Sequence, residues 1–535
     1  MQPTLSGSDY EALRRTFRWN LPARLNMAEQ VVGDWARREP DRTAIVEHDG
    51  AGPRAISYGE LDARADRLAH ALGAARGDRV GVLRTQSAWT AAAHAAIWKA
   101  GAISVPLFKL FGVDALRLRL ADAGIRTVVT DPEGRAMLAP FDLRVIVPEE
   151  DDLPDAGAFP TADTGPDDPA VMIYTSGTTG APKGALHAHR VLTGHLPGVE
   201  MSHDLLTPDR DVLWTPADWA WIGGLLDVAM PGLALGVPVV AARLPRFDVD
   251  GARKLVADCG VTSVFLPPTA LRMLRAADAT LPGLRSVASG GETLGAEMLD
   301  WGRRALGVTI NEFYGQTECN MVASSSSTMF PARPGCIGRA VPGFDVAVID
   351  EGGQPTDAEG DIAIRRHGAG GDAASMFLGY WNRPDATAEK FRGDWLVTGD
   401  RGVIEDGHIR FVGRDDDVIT SAGYRIGPSE IEDALIRHPA VAAAGVIGKP
   451  DPLRTEIVVA YVVLRDGFAA SDALAAELQD HARTRCAAHS YPREIVFLYA
   501  LPMTLTGKVM RRELRKLAAT DAAASNDTPL PEPAA

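Results

Sequence analysis

The sequence has 535 residues, which is long enough for more than one folding unit. Its 46% hydrophobic and 23% charged residues are typical of globular proteins, and no stretch has the roughly 18 consecutive apolar residues of a membrane span. The net charge of −15 argues against nucleic acid as a main partner, because duplex binding needs a basic face. The N-terminus lacks a secretory pattern, and the four cysteines lack metal-ligand spacing, so we expect a cytoplasmic protein with reduced thiols.

The first half of the chain alternates short apolar strands with amphipathic helices. We predict strands at 42–50, 78–85, 102–107 and 126–131, and helices at 58–75, 89–102 and 115–124. In the helix at 58–75, Leu61, Ala65, Leu68 and Leu72 share one face. The pattern resumes at 237–243, 253–269 and 284–291. This alternation predicts a mostly parallel sheet with helices on its faces.

After about Gly335 the sequence changes to short strands with Gly and Asp at the turns, which indicates antiparallel β-structure. Beyond Arg414 we predict a small domain with helices at 429–438 and 473–486 and strands at 442–448 and 457–464. The Ala/Pro-rich tail from Ala518 predicts disorder. The predicted organisation is therefore an N-terminal domain over 1–413, a hinge at 414–417, a C-terminal domain over 418–517, and a disordered tail over 518–535.

The densest chemical signal is a Gly/Ser/Thr-rich run, Tyr174–Gly184, between an apolar strand and a predicted helix. Its glycines let the backbone approach an anion, its hydroxyl groups donate hydrogen bonds, and Lys183 supplies a positive charge. The spacing differs from that of a Walker A loop. The run predicts a phosphate-binding loop rather than a surface linker.

This loop closely resembles the signature loop of the adenylate-forming superfamily, which includes acyl-CoA synthetases, peptide-synthetase adenylation domains and beetle luciferases. Five further segments match the superfamily's motifs in order: Ser289–Thr293, Tyr314–Glu318, Thr398–Asp400, Gly413–Arg425 and Thr506–Lys508. The resemblance spans about Asn26 to Leu517 and is nearest to the medium-chain acyl-CoA synthetase and acetyl-CoA synthetase-like group. It implies an α/β fold: a large N-terminal domain of stacked α/β sheets plus a β-rich subdomain, a hinge, and a small C-terminal α+β domain.

The resemblance also implies an ATP-dependent acid–thiol ligase that uses ATP, Mg²⁺ and CoA. The implied ATP- and AMP-binding residues are Thr175, Ser176, Gly177, Thr178, Thr179, Gly180, Lys183, Gly291, Glu292, Thr293, Glu312, Phe313, Tyr314, Gly315, Gln316, Thr317, Asp400, Arg414, Arg425 and Lys508. Glu318 is implied as the Mg²⁺ ligand, since a hard cation prefers carboxylate oxygen. Thr175, Lys183, Arg425 and Lys508 are the implied catalytic residues.

For the second half-reaction the resemblance implies that the small domain rotates about a hinge at Asp416. It implies Gly423, Tyr424 and Arg483 as CoA-binding residues. The segment before Lys508 is also similar to the site at which such ligases are inactivated by a lysine acetyltransferase, because acetylation removes the charge. The sequence leaves the oligomeric state open.

The implied acyl pocket includes Trp221, Gly223 and Gly315. In acetate-specific relatives a tryptophan stands at the position of Gly315, so the glycine predicts a longer or bulkier acid, medium-chain or branched, with aromatic acids such as benzoate as an alternative. Two alternatives of other classes are an adenylation enzyme that loads a carrier protein and a non-catalytic nucleotide-binding protein. The presence together of Lys183, Glu318, Asp400, Arg425 and Lys508 argues against the non-catalytic alternative.

Overall fold

The computed structural model describes residues 4–50, 52–175, 182–242, 247–291, 294–414, 417–421, 424–451, 454–486, 491–504 and 508–526. The chain divides into two compact units. The first unit comprises Met1–Ala347, Ala363–Leu396 and Asp406–Ile409, and the second comprises Val348–Ile362, Val397–Glu405 and Arg410–Ala535. The second unit thus takes in short segments that precede the predicted hinge, and the predicted domain boundary stays a prediction.

Helices occur along the whole described chain. They are α1 Tyr10–Thr16, α2 Asp34–Arg38, α3 Tyr58–Leu72, α4 Ala88–Lys99, α5 Val113–Ala123, α6 Pro132–Leu138, α7 Arg190–Ser202, α8 Ile222–Gly224, α9 Met230–Leu235, α10 Val249–Cys259, α11 Pro268–Ala276, α12 Ala296–Trp301, α13 Pro384–Ala388, α14 Pro428–Ile436, α15 Asp472–Arg485 and α16 Arg511–Asn526. π-Helical turns occur at Glu29–Gly33, Leu225–Ala229 and Gly302–Leu306.

The strands alternate with these helices through the first part of the chain. They are β1 Thr43–His48, β2 Pro53–Ser57, β3 Arg79–Leu83, β4 Ile103–Pro106, β5 Thr127–Thr130, β6 Arg144–Ile146, β7 Pro169–Thr175, β8 Lys183–Ala188, β9 Leu213–Trp214, β10 Val239–Ala242, β11 Ser263–Phe265, β12 Ser286–Gly290, β13 Ile310–Gln316, β14 Cys319–Ser324, β15 Arg339–Ala340, β16 Val346–Ile349, β17 Gly360–Arg365, β18 His367–Gly368, β19 Gly371–Asp372, β20 Gly379–Tyr380, β21 Phe391–Arg392, β22 Trp395–Glu405, β23 His408–Arg414, β24 Ile419–Ser421, β25 Tyr424–Ile426, β26 Val441–Asp451, β27 Thr455–Leu464 and β28 Glu494–Phe497. One sheet has the order β16-β17-β22-β21, with β23 beside β22, and β18 pairs with β19.

Two larger sheets form the first unit. One has the order β15-β14-β13-β12-β11-β9-β10-β1-β2, and the other has the order β20-β8-β7-β4-β3-β5-β6. Neighbouring strands are parallel from β13 to β1 in the first sheet and from β7 to β6 in the second, and antiparallel toward the edges. The predicted, mostly parallel α/β architecture is therefore confirmed.

One buried hydrophobic core joins these two sheets within the first unit. It includes Ile45 of β1, Val80 of β3 and Val171 of β7, together with residues of the helices packed between them. The predicted face of α3 is buried in this core. The helix α3 ends at Leu72 because Gly73 adopts the left-handed conformation with φ +56°, three residues before the predicted end. No helix in the described ranges is long and apolar enough to cross a bilayer.

The second unit contains a sheet of order β25-β24-β27-β26, with β28 beside β27. Neighbouring strands in this sheet are antiparallel, except for β27 and β28, which are parallel. Helices α14 and α15 contribute Ile431, Leu435 and Leu478 to its buried core. The predicted small α+β domain after Arg414 is thus present.

Two local predictions were wrong. The phosphate-binding loop is followed by strand β8 rather than by a helix, because β8 pairs with β7 on one side and β20 on the other. The predicted disorder from Ala518 is wrong for residues up to Asn526, which continue α16; the five alanines in this stretch favour helix. The remainder of the predicted tail, residues 527–535, lies outside the described residues.

Candidate active site

The two ends of the predicted phosphate-binding loop are held side by side by strand pairing. Thr175 is the last residue of β7 and lies opposite Lys183, the first residue of β8. The Thr175 hydroxyl also donates to the Lys183 carbonyl oxygen at 3.4 Å. The intervening loop residues Ser176 to Gly180 lie outside the described residues. The sheet therefore fixes both ends of the loop through backbone hydrogen bonds.

Lys183, Tyr380 and Glu318 form what we call the phosphate-side cluster. The Lys183 ammonium lies 5.1 Å from the centre of the Tyr380 ring, within cation–π range. The Tyr380 hydroxyl donates to Oε1 of Glu318, which is buried. Burial, reinforced by the Glu318 charge, raises the pKa of Tyr380 above its ordinary value, so the hydroxyl keeps its proton. Lys183, predicted to bind phosphate, and Glu318, predicted to bind the metal ion, thus both contact Tyr380.

The implied nucleotide-binding residues Gly291 and Glu312 to Gln316 lie directly after β12 and on β13. Gly291 follows β12 with φ +100°, and Glu292 and Thr293 lie outside the described residues. The ring of Phe313 packs against Gly290, where a Cβ would lie 2.5 Å from a ring carbon. The Glu312 carboxylate is buried and accepts the Leu294 backbone N–H at 2.7 Å. These contacts shape the backbone where the base is predicted to bind.

The remaining residues of this motif end β13 and enter the turn to β14. Tyr314, Gly315 and Gln316 are half-buried at the end of the strand, and Thr317 is half-buried in the turn before Glu318. The two strands form an antiparallel hairpin in which Tyr314 lies opposite Ala323 and Gln316 lies opposite Cys319. The hairpin thus places Tyr314, which is implied to bind the nucleotide, next to Gly315, which is implied to line the acyl pocket.

The predicted acyl wall Trp221 belongs to an aromatic cluster. Its ring centre lies 5.4 Å from that of Phe108 and 6.4 Å from that of Phe111. Nearby, the Asp218 carboxylate accepts the Ala220 backbone N–H at 2.7 Å, and burial raises the pKa of Asp218 to about 6. Trp221 is half-buried, so part of its indole remains accessible for packing against an apolar group.

The two predicted pocket glycines face polar side chains. A Cβ on Gly315 would lie 1.9 Å from Oδ1 of Asn320, and a Cβ on Gly223 would lie 3.2 Å from the Phe265 ring and 3.8 Å from Oδ2 of Asp227. The Asn320 amide therefore occupies the space directly beside Gly315, and the glycine does not by itself leave a void there. The longer pocket predicted from Gly315 stays a prediction.

Asn320 belongs to what we call the acyl-side network, which also comprises His195 and Asp227. Asn320 Nδ2 donates to both carboxylate oxygens of Asp227, at 2.9 and 3.1 Å. His195 Nδ1 lies 2.9 Å from Asp227 Oδ1, and the side chains of both residues are at most 2% exposed. Burial raises the pKa of Asp227, whereas the hydrogen bonds from His195 and Asn320 lower it. Asp227 lies in the π-helical turn Leu225–Ala229, a geometry common at functional sites.

Asp400 and Arg414, which are implied to bind ATP and AMP, lie in the second unit. Asp400 is buried on β22, and its backbone N–H donates to the Thr398 hydroxyl at 3.1 Å. The Thr398 hydroxyl donates in turn to the Ile362 carbonyl oxygen at 2.7 Å. Arg414 Nε lies 4.0 Å from Oδ1 of Asp400, within ion-pair distance.

Lys508 is hydrogen-bonded through its backbone to Thr504 in the second unit. Its N–H donates to the Thr504 hydroxyl at 3.0 Å, and its carbonyl oxygen accepts the Thr504 N–H at 2.8 Å, while its side chain is exposed. Three residues later, Arg511 donates to both Glu432 carboxylate oxygens at 2.7 Å and to Asp417 at 3.4 Å. This ion-pair network anchors the segment that follows Lys508.

The other predicted residues of the second unit have different surroundings. Tyr424 and Arg425 lie on β25, while Asp416 and Gly423 lie outside the described residues. Arg483 lies on α15 with its side chain 55% exposed and pairs with Asp480 at 2.9 Å. Exposure leaves this guanidinium accessible to a solvent-borne phosphate group.

Sequence reasoning missed Tyr380 and the whole acyl-side network. Tyr380 lies 62 residues from Glu318, and Asp227 lies 93 residues from Asn320. None of these residues belongs to a recognisable local motif, and the fold alone brings them beside motif residues. For the acyl side the available signal was the pair of pocket glycines, which leave room for a neighbouring side chain.

Comparisons with known proteins identify the family of this chain. The AMP-binding enzyme family matches residues 32–381, and the AMP-binding enzyme C-terminal domain family matches residues 430–508. The mitochondrial acyl-coenzyme A synthetase ACSM2B of Homo sapiens is 35% identical, with 92% of this chain and 91% of that protein covered.

Solved structures of the same class superpose on the chain. An acyl-CoA synthetase of Brucella canis is 32% identical with a TM-score of 0.72, covering 96% of this chain and 100% of its own. ATP-bound MatB from Rhodopseudomonas palustris is 29% identical with a TM-score of 0.81, covering 92% and 99%. The chain therefore belongs to the AMP-binding enzyme family, among the acyl-CoA synthetases of the adenylate-forming superfamily.

Proposed function

We propose that this protein joins a carboxylic acid to CoA at the expense of ATP, through an acyl-adenylate. The observation that carries the proposal is the phosphate-side cluster, which places the loop cation Lys183 and the carboxylate of Glu318 on one buried tyrosine. A cation for phosphate and a carboxylate for a hard metal ion are what ATP activation requires.

In the first half-reaction a carboxylate oxygen of the acid attacks the α-phosphorus of ATP, and pyrophosphate leaves with the bonding electrons of the broken P–O bond. The loop between Thr175 and Lys183 holds the β- and γ-phosphates. The ribose hydroxyls donate to Asp400, which is already held in place by Thr398. Lys508 stabilises the charge that develops on the α-phosphate and the carboxylate.

Glu318 is the residue that would hold Mg²⁺. Within the described ranges no group of three or more His, Cys, Asp or Glu side chains could hold a metal ion by itself. A single carboxylate nevertheless suits Mg²⁺, which keeps several waters and takes its other ligands from substrate phosphates. When bound, the ion neutralises phosphate charge; Tyr380 orients the carboxylate that would bind it.

In the second half-reaction the CoA sulfur attacks the acyl carbonyl carbon, the acyl–O bond breaks, AMP leaves, and the thiol proton passes to solvent. Arg425 neutralises phosphate charge in this step. Gly423, Tyr424 and Arg483 contact CoA, and the exposed guanidinium of Arg483 suits a phosphate group. Asp416 acts as the hinge between the two half-reactions.

The acid is proposed to be larger than acetate, with medium-chain and branched acids ahead of aromatic acids. The supporting observation is the aromatic cluster of Trp221, Phe108 and Phe111, which offers an apolar surface at the predicted acyl pocket. The walls of such a pocket discriminate weakly, because each methylene is worth only about 1–3 kcal/mol. We therefore expect a broad substrate range.

The test is CoA-dependent release of AMP from MgATP with acetate, butyrate, isobutyrate, hexanoate, octanoate and benzoate. We expect release that requires CoA and peaks beyond acetate. Pyrophosphate exchange that depends on the acid, without turnover by CoA, would instead indicate a carrier protein as the acyl acceptor. The absence of both activities with every acid would contradict the proposal.

We also propose that acetylation of Lys508 by a lysine acetyltransferase switches off the first half-reaction, in a cytoplasmic protein. Lys508 is exposed, as an acetylation site must be. Enzyme acetylated at Lys508 should lose AMP release from ATP but still form acyl-CoA from supplied acyl-adenylate, which liquid chromatography can follow. Adenylation at the unmodified rate would contradict this regulatory role.

A further inference from the structure

The two glycines that mark the acyl pocket both point toward the acyl-side network. A Cβ added to Gly315 would meet Oδ1 of Asn320. A Cβ added to Gly223 would meet the Phe265 ring and Oδ2 of Asp227. An amide, a carboxylate and an aromatic ring therefore lie directly against the two glycines that are predicted to line the acyl pocket. The inference below rests on the proposed function, because it concerns the acid that the same site accepts.

The orientation of the Asn320 amide is determined by its partner. Nδ2 faces both oxygens of Asp227 at 2.9 and 3.1 Å, and a flipped amide would place oxygen against the carboxylate. The amide oxygen must therefore face Gly315. Asn320 is 5% exposed, and its Oδ1 has no hydrogen-bond partner among the residues that the structure describes.

A second buried polar atom lies on the other side of Asp227. His195 is fully buried, and its Nδ1 lies 2.9 Å from Oδ1 of Asp227. Within the described part of the chain, Nε2 of His195 has no hydrogen-bond partner either. Of these two outer atoms, the Asn320 amide oxygen is the one that can only accept a hydrogen bond.

Unpaired buried acceptors are costly and uncommon, and a ligand that donates a hydrogen bond removes the cost. We propose that the acyl-side network selects acids that carry a hydrogen-bond donor, a hydroxyl or amino group, on the acyl portion, and that Asn320 Oδ1 accepts from it. Asp227 and His195 are positioning residues for this amide. Trp221 and Phe265 supply apolar contacts to the rest of the acyl group.

The experiment compares matched acids that differ only in a hydroxyl or a methyl group. The pairs are the 2-, 3-, 4- and 5-hydroxyhexanoates with their methyl isosteres, and the three hydroxybenzoates with the three toluates. The rate constant kcat/KM for CoA-dependent AMP release is measured for each. We expect at least one position at which the hydroxy acid exceeds its methyl isostere by about tenfold or more.

Variants assign this preference to the amide. Asn320→Leu keeps the side-chain size, removes the acceptor, and should abolish or reverse the hydroxyl preference at that position. The matched control is Asn311→Leu on β13, since the buried Asn311 amide donates to the Ser202 carbonyl oxygen and accepts the Ser327 N–H; its preference ratio should equal that of the wild type. A preference that survives in Asn320→Leu would overturn the assignment.

The wild-type panel alone can also overturn the inference, without any variant that might fail to fold. If the methyl isostere is preferred at every position while apolar acids are turned over, the donor-selective pocket is wrong and the acyl-CoA synthetase function stands. If no acid, hydroxylated or apolar, supports AMP release or pyrophosphate exchange, the proposed function and this inference both fail.

Discussion

The phosphate side and the acyl side of the first unit are built differently. In the phosphate-side cluster the charged groups satisfy one another: Lys183 contacts the Tyr380 ring, and the Tyr380 hydroxyl binds Glu318. In the acyl-side network two outer polar atoms, Asn320 Oδ1 and His195 Nε2, have no partner in the described ranges. The first arrangement is complete before the acid binds, whereas the second is completed by a suitable acid.

This difference indicates which part of the site determines the rate and which part determines the selectivity for the acid. Groups that are preorganised around phosphate act on every substrate alike, because each acid uses the same ATP. A buried acceptor without a protein partner, such as Asn320 Oδ1, discriminates among acids, because an acid without a hydrogen-bond donor leaves this acceptor unpaired. Changes on the phosphate side should therefore lower turnover for all acids, and changes on the acyl side should alter their ranking.

The largest effect is expected for Glu318→Gln. The substitution keeps the hydrogen bond from Tyr380 but removes the negative charge that would hold Mg²⁺. AMP release should fall by about two to three orders of magnitude for every acid, with a higher Mg²⁺ requirement, as a Mg²⁺ titration would show. The control is Glu297→Gln, which affects only an ion pair with Arg275. An unchanged Mg²⁺ dependence would show that Glu318 does not bind Mg²⁺.

The next effect is expected for Gly315→Ala. The new Cβ would lie 1.9 Å from Oδ1 and 2.9 Å from Cα of Asn320, so the hairpin or the amide must shift. We expect a loss of roughly 1–3 kcal/mol in the free energy of unfolding, measured with denaturant, and an altered acid ranking. Asn320→Ala in the same chain should recover part of this loss. Strictly additive effects of the two substitutions would show that the contact is absent.

A smaller effect is expected for Tyr380→Phe. The ring remains against Lys183, but Glu318 loses the hydroxyl that orients its carboxylate. The apparent affinity for Mg²⁺ should fall about tenfold, because groups that orient a metal ligand typically contribute this much. Tyr380→Leu also removes the ring and should raise the KM for ATP. Equal behaviour of the two variants would mean that the cation–π contact is unimportant.

The smallest effect on turnover is expected at Glu200, on the same helix as His195 but outside both clusters. Burial raises the pKa of Glu200 from 4.5 to about 7, although Thr4 and Leu5 donate hydrogen bonds to it. A raised carboxyl pKa means that the folded state binds the proton more tightly, so stability falls as pH rises from about 4.5 to about 7.

The variant Glu200→Gln lacks this titration. Its unfolding midpoint should therefore rise relative to that of the wild type between pH 4.5 and pH 8, as thermal unfolding would show. The difference corresponds to roughly 1.4 kcal/mol for each unit of the pKa shift. Glu297→Gln should show no such trend. A constant difference across this pH range would mean that Glu200 is ionised throughout.

The sequence was most informative where function depends on a local motif. The segment from Tyr174 to Gly184 predicted a phosphate-binding loop, and the family, the α/β fold and the ligase class are confirmed. Residues of a motif are neighbours in the chain, so their chemistry is visible without the fold. The site roles of individual residues, including Glu318 and Lys508, stay predictions.

The acyl side was not predictable in the same way. Whether a glycine leaves a void depends on which side chain packs against it, and Asn320 is oriented by Asp227 from 93 residues away. The predicted disorder at Ala518 failed for a different reason: alanine-rich sequence is compatible with both a polar tail and a continuing helix. Long-range packing decides the orientation of Asn320, and no local pattern encodes it.

The most direct test of the acyl-adenylate follows the carboxylate oxygens of the acid. The best substrate of the panel is labelled with ¹⁸O in its carboxylate, and AMP is isolated after turnover with CoA and analysed by mass spectrometry. Attack of the carboxylate on the α-phosphorus predicts AMP that carries one ¹⁸O from the acid. Unlabelled AMP, or label in inorganic phosphate with ADP as the product, would contradict the acyl-adenylate and with it the proposed function.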